Sequence, residues 1–198
     1  MDFQQVVRRR RMVRAYRPER RVPPEARDRL LRNALRAPSA GFSQGAAYVV
    51  LEDDADRERF WAATSGSRPA DGWLARMRQA PLLITCWCSE QAYRERYAER
   101  DKAAAGSFSA PFWYVDGGMG VLLILQTAVD EGLGACFFGV PPDRVAAVRT
   151  ALGVPPGWQP VGVVSVGHPD PGRDPRSPSV GRGRRPAHEV IHMGQWGS

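Results

Sequence analysis

The sequence predicts a single domain of mixed helices and strands, and three observations carry that prediction. Residues 81–88 (P-L-L-I-T-C-W-C) form a continuous apolar run of strand length, the mark of a strand buried on both faces. The helix that follows Asp116 stays apolar around most of its circumference, through Val121, Leu122, Leu123, Ile124, Leu125, Ala128 and Val129, so it belongs in a core. The 198 residues suffice for one sizeable core, and they show neither an internal repeat nor a second domain.

Taken in order, Phe3, Val6 and Val7 give a short amphipathic helix that runs into Arg8-Arg9-Arg10-Arg11-Met12-Val13-Arg14. An arginine run is usually a solvated face. Here Met12, Val13, Ala15 and Tyr16 interrupt the charges, so the segment must pack in part and hold Arg10, Arg11 and Arg14. Pro23-Pro24-Glu25 opens a second helix with Leu30, Leu31, Ala34 and Leu35 on its apolar face, ending at Ala37-Pro38. A loop of small and turn-forming residues follows at 38–45. Residues 47–51 then read as a strand, 54–63 as a helix with Phe60 and Trp61, and Trp73, Leu74 and Met77 as further helical cover. Beyond the 81–88 strand, residues 91–102 are a charged helical excursion and 103–110 a flexible approach to the central helix.

For that central helix the expected N-cap is Asp116, after an aromatic lead-in of Phe112, Trp113 and Tyr114. It should be buried on nearly all sides, and it reads as too short and too interrupted to cross a membrane. Gly117, Gly118 and Gly120 each cost about 1 kcal/mol of helix propensity relative to Ala. Close approach of a second helix or of a flat ligand would offset that. Such a helix is either ordinary core or one wall of a planar cofactor site. Gly132 and Gly134 end it, residues 135–138 form a buried strand stopping at Gly139, and 141–152 a helix with Val145, Val148 and Leu152 inward. Residues 160–167 supply the last core strand, 168–183 an extended segment, and Val190, Ile191 and Trp196 make the end too apolar for a free tail.

Composition narrows the function classes. Hydrophobic residues at 43% and charged residues at 25% are ordinary for a globular domain. The polar, basic N-terminus has no signal-peptide core, and three cysteines, an odd number, make no disulfide framework. Reduced thiols and a cytoplasmic location are expected. The net charge of +7 fits either nucleic acid or two arginine clusters, Arg8 to Arg14 and Arg173 to Arg185, meeting around one small phosphate. Composition leaves both open, though no nucleic-acid-binding signature lies between the clusters.

Several motifs are decoys. His188-Glu189-Val190-Ile191-His192 matches the zinc pattern H-E-x-x-H, but it stands near the C-terminus with no downstream ligand, so no metal is expected. Cys86 and Cys88 share one face of a strand without a partner pair, and Ser39 and Ser43 lack a nucleophile-elbow context. What remains is four separated pieces: Arg10 to Arg14, the loop Pro38-Ser39-Ala40-Gly41-Phe42-Ser43-Gln44, Phe137-Phe138-Gly139, and Arg182-Gly183-Arg184-Arg185-Pro186. They offer guanidinium forks, a small-residue grip for a ring edge, and backbone N–H groups at a strand end.

In that order and spacing, with D-x-G-M-x-x-L-L-x-L-x-x-A, G-L-G and V-x-V-G between them, the pieces resemble the FMN-dependent nitroreductase family over nearly the whole chain. The resemblance implies an α+β sandwich with a central, mostly antiparallel sheet flanked by helices. It implies one domain over 1–198 and an intertwined homodimer whose C-terminal arm, 168–198, wraps onto the partner. It further implies FMN at the subunit interface. Arg10, Arg11 and Arg14 would hold its phosphate and ribityl chain, Arg182 and Arg184 would clamp the phosphate again, and Pro38, Ser39, Ala40, Gly41 and Gln44 would line the ring. Phe138 and Gly139 would face flavin N5. Phe42, Trp73, Phe108, Phe112, Trp113 and Tyr114 would form the substrate pocket, or equally a packed dimer interface.

The implied activity is ping-pong hydride transfer from NAD(P)H, as transient co-substrate, to a nitroaromatic, a quinone or another flat electrophile. No obligatory catalytic side chain is expected. The sequence departs from the family pattern at Met12, Phe42, Gly45-Ala46 and Phe138, so substrate preference does not carry over. Gly41-Phe42-x-Gln44 also occurs in the dimethylbenzimidazole-synthase branch, which uses reduced flavin with O₂. That branch and a basic nucleic-acid-binding module are the two alternatives.

Overall fold

The computed structural model describes residues 1–66, 71–102, 108–174 and 178–197. Helices α1 (Phe3–Arg9) and α2 (Pro24–Ala34) precede strand β1 (Ala46–Leu51), followed by α3 (Asp54–Ser65), α4 (Gly72–Met77), β2 (Leu82–Ser89) and α5 (Glu90–Ala98). Then come α6 (Phe112–Asp130), β3 (Gly134–Phe138), α7 (Val145–Ala151) and β4 (Trp158–Gly167). The expected helix over 141–152 begins as a 3-10 turn, Pro142–Arg144, and the excursion from 91 stays helical only to Ala98. The flexible approach expected at 103–110 falls largely outside the described residues.

The strands form one sheet in the order β1-β2-β4-β3, with every neighbouring pair antiparallel. All eight residues of β2 are buried, as its unbroken apolar run requires. Its side chains divide by the period of two. Leu82, Ile84 and Cys86 meet Leu30 of α2 and Ile124 of α6, while Leu83 and Trp87 meet Phe60, Trp61, Met77 and Val148 of α3, α4 and α7. The chain is therefore an α+β sandwich with a helical layer on each face of an antiparallel sheet.

Strand β4 tolerates Pro160 and Gly162 in a central position because it bulges there. Pairing skips from Cys86–Gly162 to Trp87–Pro160, leaving Val161 as the extra residue. A Cβ built on Gly117 of α6 would lie 2.7 Å from Val161, so the glycine makes room for the bulge. Gly120 does the same for the Tyr48 hydroxyl, with the Ala34 carbonyl of α2 close by, whereas Gly118 faces open space.

Three expectations for the central helix need correction. It begins at Phe112 rather than after Asp116: Pro111 occupies the N-cap position, without a side-chain capping bond, and the aromatic lead-in is already helical. Asp116 therefore lies inside the helix and points into the protein. Nor is α6 buried on nearly all sides: Tyr114, Val115, Met119 and Leu122 form an exposed apolar stripe. An 18-residue window of mean hydropathy 1.3 gives it the length and composition of a membrane span, which core helices of folded domains share, and here the helix packs against the sheet. Gly134, expected to end the helix, instead starts β3 against Val13, leaving Gly132 (φ 72°) as the terminator. The apolar residues of the C-terminus, Val190, Ile191, Met193 and Trp196, are all exposed in the single chain.

The two helix glycines should respond oppositely to alanine. Gly118→Ala is expected to stabilise by up to about 1 kcal/mol through helix propensity, and Gly120→Ala to destabilise by about 1–3 kcal/mol through overpacking. Denaturant unfolding of both variants, with Tyr48→Phe added to the second to relieve the clash, measures this.

Candidate functional site

The loop after α2 has the least ordinary backbone among the described residues. Gly41 (φ 61°), Phe42 (φ 58°) and Gln44 (φ 52°) all lie in the left-handed region, which costs the two non-glycine residues about 1 kcal/mol or more each. Side-chain oxygens hold the loop in this shape. Ser39 Oγ accepts from the Gln44 N–H at 2.8 Å, and Asp116 Oδ2 accepts from the Ala40 N–H at 2.7 Å and from the Tyr93 hydroxyl at 2.7 Å. Asp116 is only 6% exposed. Gly41 is required beside Tyr97, whose ring a Cβ would strike at 2.6 Å. The loop lines a cleft of about 460 Å³ together with Tyr48, Tyr93 and Asp116; Pro38, Ser39, Phe42 and Gln44 all contribute, with Phe42 73% exposed.

An aromatic cluster adjoins the loop through Tyr93 and Tyr97. Phe108 meets Tyr97 edge-on at 4.7 Å, Trp113 at 5.9 Å, Phe112 at 6.4 Å and Tyr93 at 6.5 Å, and Trp113 meets Tyr93 at 6.2 Å. A cavity of about 570 Å³ opens between Arg94, Tyr97, Phe108 and Trp113. Tyr114 stands apart on the exposed stripe of α6.

The N-terminal arginines lie elsewhere, along the edge of β3. Met12 bridges Ala135 in parallel fashion, the Val13 N–H donates to the Ala135 carbonyl at 2.9 Å, and the Phe137 N–H reaches Met12 Sδ at 3.4 Å. Arg10 and Arg14 are half-buried. Arg11 pairs with Asp174, whose carboxylate also accepts the Arg14 N–H at 3.0 Å. Beneath them the buried Tyr16 hydroxyl donates to the Val13 carbonyl at 2.6 Å and shares a 2.8 Å bond with Ser165 Oγ. Burial pushes that phenol well above its usual range, so it stays a neutral donor. At the far end of β3, Phe138 stacks on Trp61 (5.8 Å, 7°) and takes Trp73 edge-on (5.5 Å, 82°). Trp61, Trp73, Phe138 and Gly139 line a cavity of about 180 Å³ there.

The anticipated site residues thus fall into two groups. One holds Arg10, Arg11, Arg14, Trp73, Phe138 and Gly139 around β3. The other holds Pro38, Ser39, Ala40, Gly41, Phe42, Gln44, Phe108, Phe112 and Trp113 around α5 and the start of α6. None of these three cavities contains members of both. Arg182 and Arg184 are exposed on the C-terminal segment. His188 and Glu189 lie in a 3-10 turn that ends before His192, so the two imidazoles do not share a helical face. Sequence reasoning missed Asp116, Tyr93 and Asp174. A lone carboxylate between Val115 and Gly117 in an apolar helix was the available signal for the first.

An antiparallel α+β sandwich, carrying an arginine segment on one edge strand and a strained small-residue loop across the sheet, defines the class. The model of the nitroreductase family matches residues 7–168, and the chain belongs to that family. A Methanothermobacter thermautotrophicus protein named for NADH dehydrogenase/NAD(P)H nitroreductase activity is 26% identical over 99% of this chain and 88% of its own length. Among solved structures, a Desulfovibrio desulfuricans protein named as a nitroreductase in complex with FMN is 23% identical, with TM-score 0.72 over 95% of this chain and 94% of that one. The NADPH:FMN oxidoreductase of Vibrio harveyi, complexed with NAD⁺, is 21% identical, with TM-score 0.74 over 98% of this chain and 78% of that one. At these identities the two structures establish the shared fold.

Cys86, Cys88 and Cys136 are free and buried. Burial pushes the first two thiols up to about 12 and raises the third. At neutral pH a thiol reagent should label none of them in the native protein and all three after denaturation.

Proposed function

We propose that this chain is an FMN-dependent NAD(P)H oxidoreductase that works as a homodimer, with a flat electrophile such as a nitroaromatic or a quinone taking the hydride. The observation that carries the reading is the docking of the arginine segment against β3. It sets half-buried guanidinium groups beside the strand that ends at Phe138 and Gly139.

The residues present fit a flavin mononucleotide. Arg10 and Arg14 supply the fixed positive charge a phosphate needs, and a guanidinium holds phosphate through paired N–H donors. Arg11 is engaged by Asp174 in the single chain, so Arg10 and Arg14 carry most of that role, with Arg182 and Arg184 approaching from the arm. The loop at 38–44 presents small side chains and backbone to a ring edge, and the aromatic rings beside it exclude water. Bound there, FMN supplies the hydride-accepting and hydride-donating centre, so no side chain need serve as nucleophile or general base. A fixed guanidinium near the pyrimidine edge favours the anionic reduced ring.

The division of the site residues into two groups supports the dimer. A second copy can bring its loop-side group to the first copy's arginine-side group, and the exposed stripe Tyr114, Val115, Met119 and Leu122 offers an apolar face for that contact. The exposed apolar C-terminus is suited to wrap onto the same partner.

Purified protein should be yellow or become so with FMN, and it should give parallel double-reciprocal lines for NAD(P)H and a quinone. Arg14→Gln should weaken FMN binding about 10–100-fold, the loss of one or two charge-assisted hydrogen bonds. Leu122→Glu should yield a monomer that binds no FMN. A colourless protein that stays colourless with added FMN overturns the reading.

A further inference from the structure

Asp116 has no part in the reading above, yet among the described residues it is the one buried carboxylate that touches the ring-lining loop. Its Oδ2 alone takes both hydrogen bonds, from the Ala40 N–H and from the Tyr93 hydroxyl, each at 2.7 Å. The loop it holds carries three left-handed residues within four positions, two of them with side chains. Strain of this kind persists only where the surroundings over-determine it. Ser39 Oγ closes the loop on itself through the Gln44 N–H at 2.8 Å, but that bond does not attach the loop to the rest of the chain. Ser89 N–H ties only the loop's end, at the Gly45 carbonyl (2.9 Å), and Ser39 Oγ reaches the Tyr93 hydroxyl only at 3.5 Å. The short bond to its strained part comes from Asp116, seventy-six positions away in sequence on the second turn of α6. There Gly117 seats the helix on the β4 bulge. Tyr93 extends the same contact to α5, whose neighbouring Tyr97 packs over Gly41.

We propose that Asp116 is a positioning residue for flavin binding: by fixing the Ala40 N–H and, through Tyr93, helix α5, it imposes the left-handed backbone that presents Pro38 to Gln44 to the ring. The inference rests on the FMN reading for its functional consequence, while its structural half stands without flavin. A carboxylate suits the task because one oxygen can accept two donors at once, and an Asn oxygen in the same place can do so too. Alanine leaves the partly buried Ala40 N–H without its partner and the buried Tyr93 hydroxyl with only the 3.5 Å contact to Ser39 Oγ.

The test compares Asp116→Ala, Asp116→Asn and Tyr93→Phe in the full-length protein. Amide exchange across 38–45, measured without FMN, reads the loop; FMN titration by fluorescence quenching reads the consequence; thermal unfolding of the apoprotein reads general damage. Asp116→Ala should speed exchange across the loop at least tenfold and weaken FMN binding at least tenfold. Asp116→Asn should restore both to within about threefold, and Tyr93→Phe should fall between. A lowered melting temperature with loop exchange and FMN affinity unchanged would make Asp116 a merely structural residue and overturn the proposal. So would failure of Asp116→Asn to rescue a folded protein. If wild-type protein binds no FMN while loop exchange still follows Asp116, the FMN reading fails and the positioning of the loop stands. Should Asp116→Ala not fold, Tyr93→Phe against wild type decides by the same two readouts.

Discussion

Strand β2 is covered along its whole length on both faces, and that constraint organises everything else in the chain. A strand with no solvent face needs a helical layer on each side, so α2 and α6 must take one face and α3, α4 and α7 the other. With β2 and β4 central, only β1 and β3 are left as edges. The arginine segment packs along the β3 edge, where Met12 and Val13 complete its hydrogen bonding, and the strained loop leads directly into β1. The two groups of site residues are apart because the two edges of the sheet are apart.

That separation explains why the two groups line different cavities among the described residues. It also gives meaning to the apolar surface the chain leaves uncovered. A stripe on α6 and an exposed C-terminal segment with Ile191 and Trp196 are unfavourable in water and suited to a symmetric contact. Within the chain the same helix serves three neighbours: its glycines receive Val161 and Tyr48, its apolar face builds the core, and Asp116 holds the loop.

Much of the fold was legible because it is written in local patterns. The run at 81–88 could only be a doubly buried strand, and Pro23-Pro24-Glu25 and Gly132 mark their helix ends by backbone preference. The arginine segment was legible as held because Met12, Val13 and Tyr16 interrupt it, and the family pattern pointed to the loop and to Gly139. The errors have physical causes. Asp116 looked like an N-cap because Asp favours that position, but Pro111 already started the helix and the carboxylate was claimed by a loop far away in sequence. The exposed stripe on α6 looked like core because an apolar side chain reads alike whether its own chain covers it or leaves it exposed. Proline and glycine in β4 gave no warning of a bulge, since the extra residue is visible only once β2 is laid beside it. The pairing of Arg11 with Asp174 was likewise beyond any local pattern.

The central claim is that each flavin site draws its arginines from one subunit and its ring-lining loop from the other. Co-expression of two differently tagged chains, one Arg14→Gln and one Gly41→Val, followed by isolation of the mixed dimer and FMN titration, tests it most directly. Each homodimer is defective at both sites. The mixed dimer should regain one site of near wild-type affinity, because one of its two sites pairs the intact Arg14 with the intact loop. A mixed dimer with no restored site, as defective as either parent, would contradict the account and place both groups of residues on a single subunit.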